Sequence, residues 1–191
     1  MATQPTPFLT PEQYLEIERK AEFRSEYIDG QVFAMAGGTL NHSWIFGNAF
    51  SRLTEKLRGK SCRVAGPDLR LYIEQFRTYT YPDIVVTCGE VKIQDRHNDT
   101  IMDATAIVEI LSPSTKNYDR GEKFRFYRSL PSFSEYVLLA QDAIRAEHHV
   151  RQPDGSWLFR EFTNSTDELE LASIGCRLSL GDIYERIEFE Y

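Results

Sequence analysis

The sequence predicts an α/β (α+β) fold, a mixed central β-sheet flanked by helices, and three observations carry that prediction. Short runs rich in Ile and Val, at Ile84-Val85-Val86, Ala106-Ile107-Val108 and residues 135–140, have the length and composition of buried strands. Ile45, Ala49, Leu53 and Leu57 recur every fourth residue, broadened by Phe46 and Phe50, which is the stripe of an amphipathic helix. The pieces follow one another as helix, strand, strand, strand, helix, strand, with additions at both ends, an order that suits helices layered on a sheet. At 191 residues the chain reads as one domain, residues 1–191, with 1–8 a flexible arm.

Thr10-Pro11-Glu12 reads as an N-cap, a proline in the first turn and an early acid, opening a short helix through Tyr14, Leu15, Ile17 and Ala21. Residues 27–35 resemble a hairpin turning at Asp29-Gly30. Glu26 stands at its start, where an edge-strand glutamate would face water. Asn41-His42 leads into the helix that runs to about Arg58, and a histidine there would ordinarily cap or pack. Residues 62–73 are expected to be a core strand or bent pair broken at Gly66-Pro67, with Asp68 a turn aspartate. Pro82 cannot sit in a central ladder, so it marks a strand start or a local break in pairing.

Residues 88–104 form a long polar excursion that suits a substrate-side flap or a dimer contact. Ser112-Pro113-Ser114-Thr115 stops the strand holding Glu109, a helix over 119–130 follows, and residues 145–150 and 157–162 make a further hairpin through Pro153-Asp154-Gly155. His148 and His149 are adjacent and, in a strand, face opposite ways. They would not share a metal ion.

Composition is that of a globular protein, and no apolar run reaches membrane-spanning length. The start carries no signal-peptide pattern, so a cytoplasmic location is expected. Cys62, Cys88 and Cys176 are scattered and read as buried or free thiols of a reducing compartment. Net charge is −7, the wrong sign for a generic nucleic-acid binder. Charge is segregated, however. Lys116, Arg120, Lys123, Arg125 and Arg128 crowd one segment, while residues 167–190 are acidic.

Asp83 and Glu109 lie inside apolar strands, where a charge is costly unless a partner or a metal ion compensates it. At about 100° per residue, Lys123 points from the middle of a face made by Phe124, Phe126, Tyr127 and Leu130, with Asp119 about 40° away. A buried ion-pair network would account for the three residues without any function.

Pro82-Asp83, a following acid and a nearby lysine resemble the PD-(D/E)XK nuclease pattern. Residues 26–30 (Glu-Tyr-Ile-Asp-Gly), Asn41-His42, 81–86 (Tyr-Pro-Asp-Ile-Val-Val), 108–115 and 118–124 together resemble the Uma2 family of restriction-endonuclease-like proteins, over residues 9–139. The resemblance implies a restriction-endonuclease-like core and metal-dependent cleavage of phosphodiester bonds in nucleic acid, DNA in the first place and RNA in the second. A homodimer is implied as well. Asp83, Glu109 and the carbonyl of Ile110 would hold Mg²⁺ or Mn²⁺, ions that suit oxygen ligands. Lys123 would orient or help deprotonate water and offset phosphate charge. It takes the place of the usual lysine two residues after the second acid, a position held here by Leu111. Glu26 and His42 would assist the site. The competing expectation is a catalytically inactive interaction module that kept the fold.

Overall fold

A computed structural model describes residues 8–35 and 37–189. All but Phe8 of the expected arm, and Glu190 of the acidic tail, lie outside the described residues. Helix α1 (Pro11–Glu18) starts where the sequence predicts: Thr10 N donates to Gln13 Oε1 at 2.8 Å, and Gln13 N donates back to Thr10 Oγ1 at 3.3 Å. Strands β1 (Ser25–Ile28) and β2 (Gln31–Ala34) turn at Asp29-Gly30, whose φ values of 40° and 99° are ones this dipeptide accepts readily. Helix α2 (Leu40–Lys56) is capped by the Thr39 hydroxyl and buries Ile45, Ala49 and Leu53.

Then come β3 (Cys62–Ala65), β4 (Arg70–Ile73), β5 (Thr78–Thr80), β6 (Ile84–Cys88), β7 (Thr100–Ile101) and β8 (Ala106–Leu111). The next helical stretch has three parts: α3 (Lys116–Tyr118), a π-helical turn (Asp119–Lys123) and α4 (Phe124–Tyr127). Strands β9 (Glu135–Ala140), β10 (Ala146–Arg151), β11 (Trp157–Phe162), β12 (Glu168–Leu171) and β13 (Cys176–Ser179) follow, and α5 (Leu180–Ile183) closes the chain.

Two principal sheets replace the single central sheet expected from the sequence. The larger runs β11-β10-β9-β8-β6-β3 and the smaller β2-β1-β5-β4-β7. Both are mixed: β8 pairs parallel to β9, β4 parallel to β7, and the remaining neighbours antiparallel. The chain passes repeatedly between the two principal sheets: from β2 to β3, after Ala65, at Tyr81-Pro82-Asp83, and on either side of β7. Gly66-Pro67 and Pro82 therefore mark changes of sheet, and the expected bent strand over 62–73 is two strands in different sheets. The N-terminal hairpin is not an appendage, since β1 pairs with β5 and builds the smaller sheet. The β10–β11 hairpin likewise continues the larger sheet through β9. The true C-terminal addition is the pair β12–β13 with α5, which the sequence reading registered only as an acidic tail.

Alternation sorts the strands of the larger sheet into two faces. Ile84, Val86, Val108, Ile110, Val137 and Leu139 pack under α2 and the C-terminal pair. Val85, Ile107, Leu111, Tyr136 and Leu138 pack with β4 and the Phe126–Tyr127 turn. Tyr14, Tyr27 and Tyr79 form a third, small cluster that seats α1 on the smaller sheet, with ring centroids 5.1 to 5.8 Å apart.

The polar excursion over 88–104 is tied down rather than free. Ile93 bridges Ile101, β7 adds to the smaller sheet, and Arg19 grips Asp95 at 2.7 Å and Asp99 at 3.0 Å. The buried Arg70 also pairs with Asp99. The thiol expectation needs correction: Cys62 and Cys88, directly opposite in the β3–β6 register, are joined in a disulfide, and Cys176 alone is a free, buried thiol. His148 is buried while His149 lies among the rings of Phe124 and Phe159, 4.6 and 5.0 Å away, so the two face apart as expected. No helix among the described residues is long and apolar enough to cross a membrane.

Candidate active site

Only Glu109 lies inside a strand. Asp83, expected in one as well, is half-buried and sits one residue before β6, because Pro82 delays the start of pairing. The two acids meet because of register. Ile84 is opposite Val108 in the antiparallel pair β6–β8, so one step earlier Asp83 is opposite Glu109. Pro82, just before Asp83, takes the place where the β6 ladder would otherwise continue, and side chains take over the pairing. The amide of Asp83 donates to Glu109 Oε2 at 3.1 Å, and the amide of Ile110 donates to Asp83 Oδ2 at 2.7 Å. Glu109 stands between Ile107 and Leu111 on the face that the 116–127 helix covers, and is only 2% exposed.

Lys123 comes down from that helix. The π-helical turn inserts one extra residue per turn, a device frequent at functional sites. Asp119 and Lys123, its first and last residues, are both buried. The ammonium lies 3.1 Å from Glu109 Oε1, 3.4 Å from Glu26 Oε1 and 3.5 Å from Asp119 Oδ1. Lys123 thus donates a hydrogen bond to Glu109 and forms ion pairs with Glu26 and Asp119. Tyr127 OH adds a bond of 2.8 Å to Glu109 Oε1, and Tyr118 OH one of 3.2 Å to Glu26 Oε2.

Glu26 is therefore not a water-facing edge residue; it is buried and turned inward. His42, in the first turn of α2, places Nε2 3.3 Å from Asp83 Oδ2. Glu26, His42, Asp83, Glu109, Ile110 and Lys123 all border one cleft of about 500 Å³, set between the smaller sheet, the start of α2, the β6–β8 edge and the 112–123 segment. The sequence reading did not single out Asp119 as a site residue. The signal existed, because its helical phase put it beside Lys123. Tyr118 and Tyr127 gave no comparable signal. Asp68 lies apart, in an exposed pair with Arg24.

Charge is out of balance in this cleft. Its described lining carries Glu26, Asp83, Glu109, Asp119 and Glu122 against a single Lys or Arg, Lys123. Burial, with Asp83 and Asp119 alongside, pushes the Glu109 carboxyl up from 4.5 to about 8 despite Lys123. Burial raises Asp119 too. Burial works against the charge on Lys123, but Glu109, Glu26 and Asp119 outweigh it and hold the ammonium well above its ordinary range. His42 is raised in the same way, its burial overcome by the hydrogen bond to Asp83.

These donors suit a hard divalent cation. Mg²⁺ is commonly held by one or two carboxylates with water and substrate phosphate completing its shell, and Asp83 and Glu109 provide that pair. Among the described residues no three His, Cys, Asp or Glu side chains are grouped so as to hold a metal ion, so an ion here would rest on these two carboxylates with backbone oxygen, water and phosphate. A cation would also supply the positive charge the cleft lacks. The basic segment expected nearby does not compensate: Arg120 is tied to Glu147 at 2.6 Å, and Arg125 and Arg128 lie over the rings of Phe76 and Phe124.

Comparison with known proteins gives a consistent result. The family model Uma2, described as "Putative restriction endonuclease", matches residues 11–181. Two proteins of Synechocystis sp. are similar, both named only as uncharacterized. One, slr1290, is 37% identical over 186 residues, 97% of this chain and 96% of its own length. The other, sll1609, is 32% identical over 172 residues, 90% of this chain and 97% of its own. The crystal structure of "a putative nuclease belonging to DUF820" from Anabaena variabilis superposes with a TM-score of 0.77, covering 94% of this chain and 99% of that one. At 18% identity that likeness concerns the fold.

Proposed function

The chain belongs to the Uma2 family, and from that premise we propose that it is a metal-dependent endonuclease hydrolysing phosphodiester bonds in DNA. The observation that carries the proposal is the convergence of Asp83, Glu109 and Lys123 at the head of the cleft. In this reading β6, β8, the helical stretch and β9 form the restriction-endonuclease-like core.

Asp83 and Glu109, with the Ile110 backbone, would hold Mg²⁺ or Mn²⁺; when bound, such an ion activates water and stabilises charge on phosphate oxygens. Lys123 keeps its proton, because three carboxylates surround it, so its part is to offset negative charge on the phosphate rather than to take a proton from water. Glu26 and Asp119 fix the ammonium in place. His42, held by Asp83 at the cleft wall, is set to exchange a proton with a group in the cleft. The same reading makes the protein a homodimer where both strands of a duplex are cut; a cytoplasmic location would have to accommodate the Cys62–Cys88 disulfide.

One observation favours the competing reading, an inactive interaction module. Both Glu109 oxygens are already engaged by protein donors. Supercoiled plasmid incubated with Mn²⁺ separates the two. The native protein is expected to nick it, and Glu109→Gln to be slower by at least about 100-fold. Equal plasmid stability with both proteins would favour the module.

A further inference from the structure

Phe33 is an exposed aromatic on the wall of the cleft, and neither the fold nor the proposed chemistry uses it. Register fixes where it points. Phe33 is the cross-strand partner of Glu26, and directly opposed residues project from the same face of a sheet. Glu26 is 7% exposed and bound to Lys123, whereas Phe33 remains 48% exposed on the cleft wall beside it. Ile28, on the same face, and Tyr118, hydrogen-bonded to Glu26, extend an apolar surface next to the carboxylates.

A phosphodiester substrate normally gains its affinity from lysines and arginines set against several phosphates. Among the described residues this cleft has one such residue, and it is buried among carboxylates. The chain as a whole carries −7. Lysines and arginines of the described cleft lining therefore offer the phosphate backbone little, and a further contact close to the reacting phosphate would add to binding. Base stacking on an aromatic side chain is such a contact, sequence-tolerant and independent of positive charge.

We propose that Phe33 is the stacking platform for an unpaired nucleobase beside the scissile phosphate, so that the preferred substrate is nucleic acid with single-stranded character: a single strand, a flap or a frayed end. This rests on the nuclease reading above and narrows its substrate. A base stacked within an intact duplex has no free face to offer, whereas an unpaired one does.

The test uses the full-length protein with Mn²⁺ and fluorescent oligonucleotides of one sequence, as single-stranded DNA, single-stranded RNA and DNA duplex. A second set carries 2-aminopurine, whose fluorescence is quenched on stacking. The native protein is expected to cleave single strands with kcat/KM at least tenfold above the duplex, and to quench 2-aminopurine. Phe33→Ala should lose about 5- to 150-fold in kcat/KM, chiefly through KM, together with the quenching, and Phe33→Trp should restore both. Because the ring is half exposed, the unfolding midpoint should not move. The DNA and RNA arms show which polymer supplies the base.

Equal cleavage of duplex and single strand, unchanged by Phe33→Ala, would overturn this inference and leave the nuclease reading standing. Quenching that depends on Phe33, with no cleavage of any strand, would support the platform and sink the hydrolytic reading. A native dimer that Phe33→Ala converts to monomer, with no effect on quenching, would overturn the platform in favour of a second copy at the β2 edge.

Discussion

A Lys123→Met protein is expected to unfold about 3–5 kcal/mol more easily than the native protein at pH 7.5, and to cleave DNA at least about 100-fold more slowly. Methionine fills much of the lysine's volume, so the loss would not come from a cavity. It would come from Glu26, Glu109 and Asp119, which share that one ammonium and would be left buried without a cation. The stability loss should shrink as pH falls, because the carboxyls of Glu109 and Asp119, already raised by burial, take up protons more readily once the ammonium is gone. Urea unfolding at pH 5 and pH 7.5 checks this. A uniform loss at both would mean that the lysine acts through packing.

The second large effect concerns pH. Burial, with Asp83 and Asp119 alongside, pushes the Glu109 carboxyl up from its ordinary 4.5 to about 8 in the folded protein. Between those values the folded chain holds a proton that the unfolded chain has released, so stability must fall as pH rises. His148 has the opposite influence lower down. Burial, with Arg160 and His149 nearby, lowers it from 6.5 to about 4, so its contribution to stability is lost as pH falls through that interval. The interval between about pH 6.5 and 8 therefore isolates the site, and there the metal-free protein should lose roughly 2 kcal/mol.

His42, raised by Asp83, contributes in the same direction. Glu109→Gln should accordingly reduce the slope, and Glu109→Gln with His42→Gln should abolish it. Mn²⁺ favours the ionised carboxylates, so it should stabilise the native protein more at pH 8 than at pH 6.5. A native protein whose stability is flat over this interval would mean that Glu109 is ionised without any cation.

Much of this was legible in the sequence because it depends on local chemistry. An acid between Ile107 and Leu111 is informative wherever that strand lies, and helical phase alone put Lys123 and Asp119 on one buried face. The Asp-Gly turn and the Thr10 cap were fixed by neighbouring residues. What was not legible depends on distant pairing. A proline between apolar runs shows that a ladder breaks, but not that the chain then changes sheet, as it does at Pro82 and after Ala65. Cys62 and Cys88 are 26 residues apart and meet only through the β3–β6 register. The inward turn of Glu26 follows from β1 pairing with β5, and Phe33 reaches the cleft only as the partner of Glu26. The basic segment was visible, but that Glu147 and two phenylalanine rings would occupy it was not.

The most direct measurement is an anomalous difference map from crystals soaked in Mn²⁺, recorded near the manganese edge for the native protein and for Glu109→Gln. The native map should show a peak between the carboxylates of Asp83 and Glu109, beside the Ile110 backbone, and the variant map should lack it. A peak away from these two residues, or equal peaks in both maps, would contradict the claim that Asp83 and Glu109 form the metal centre of a nuclease.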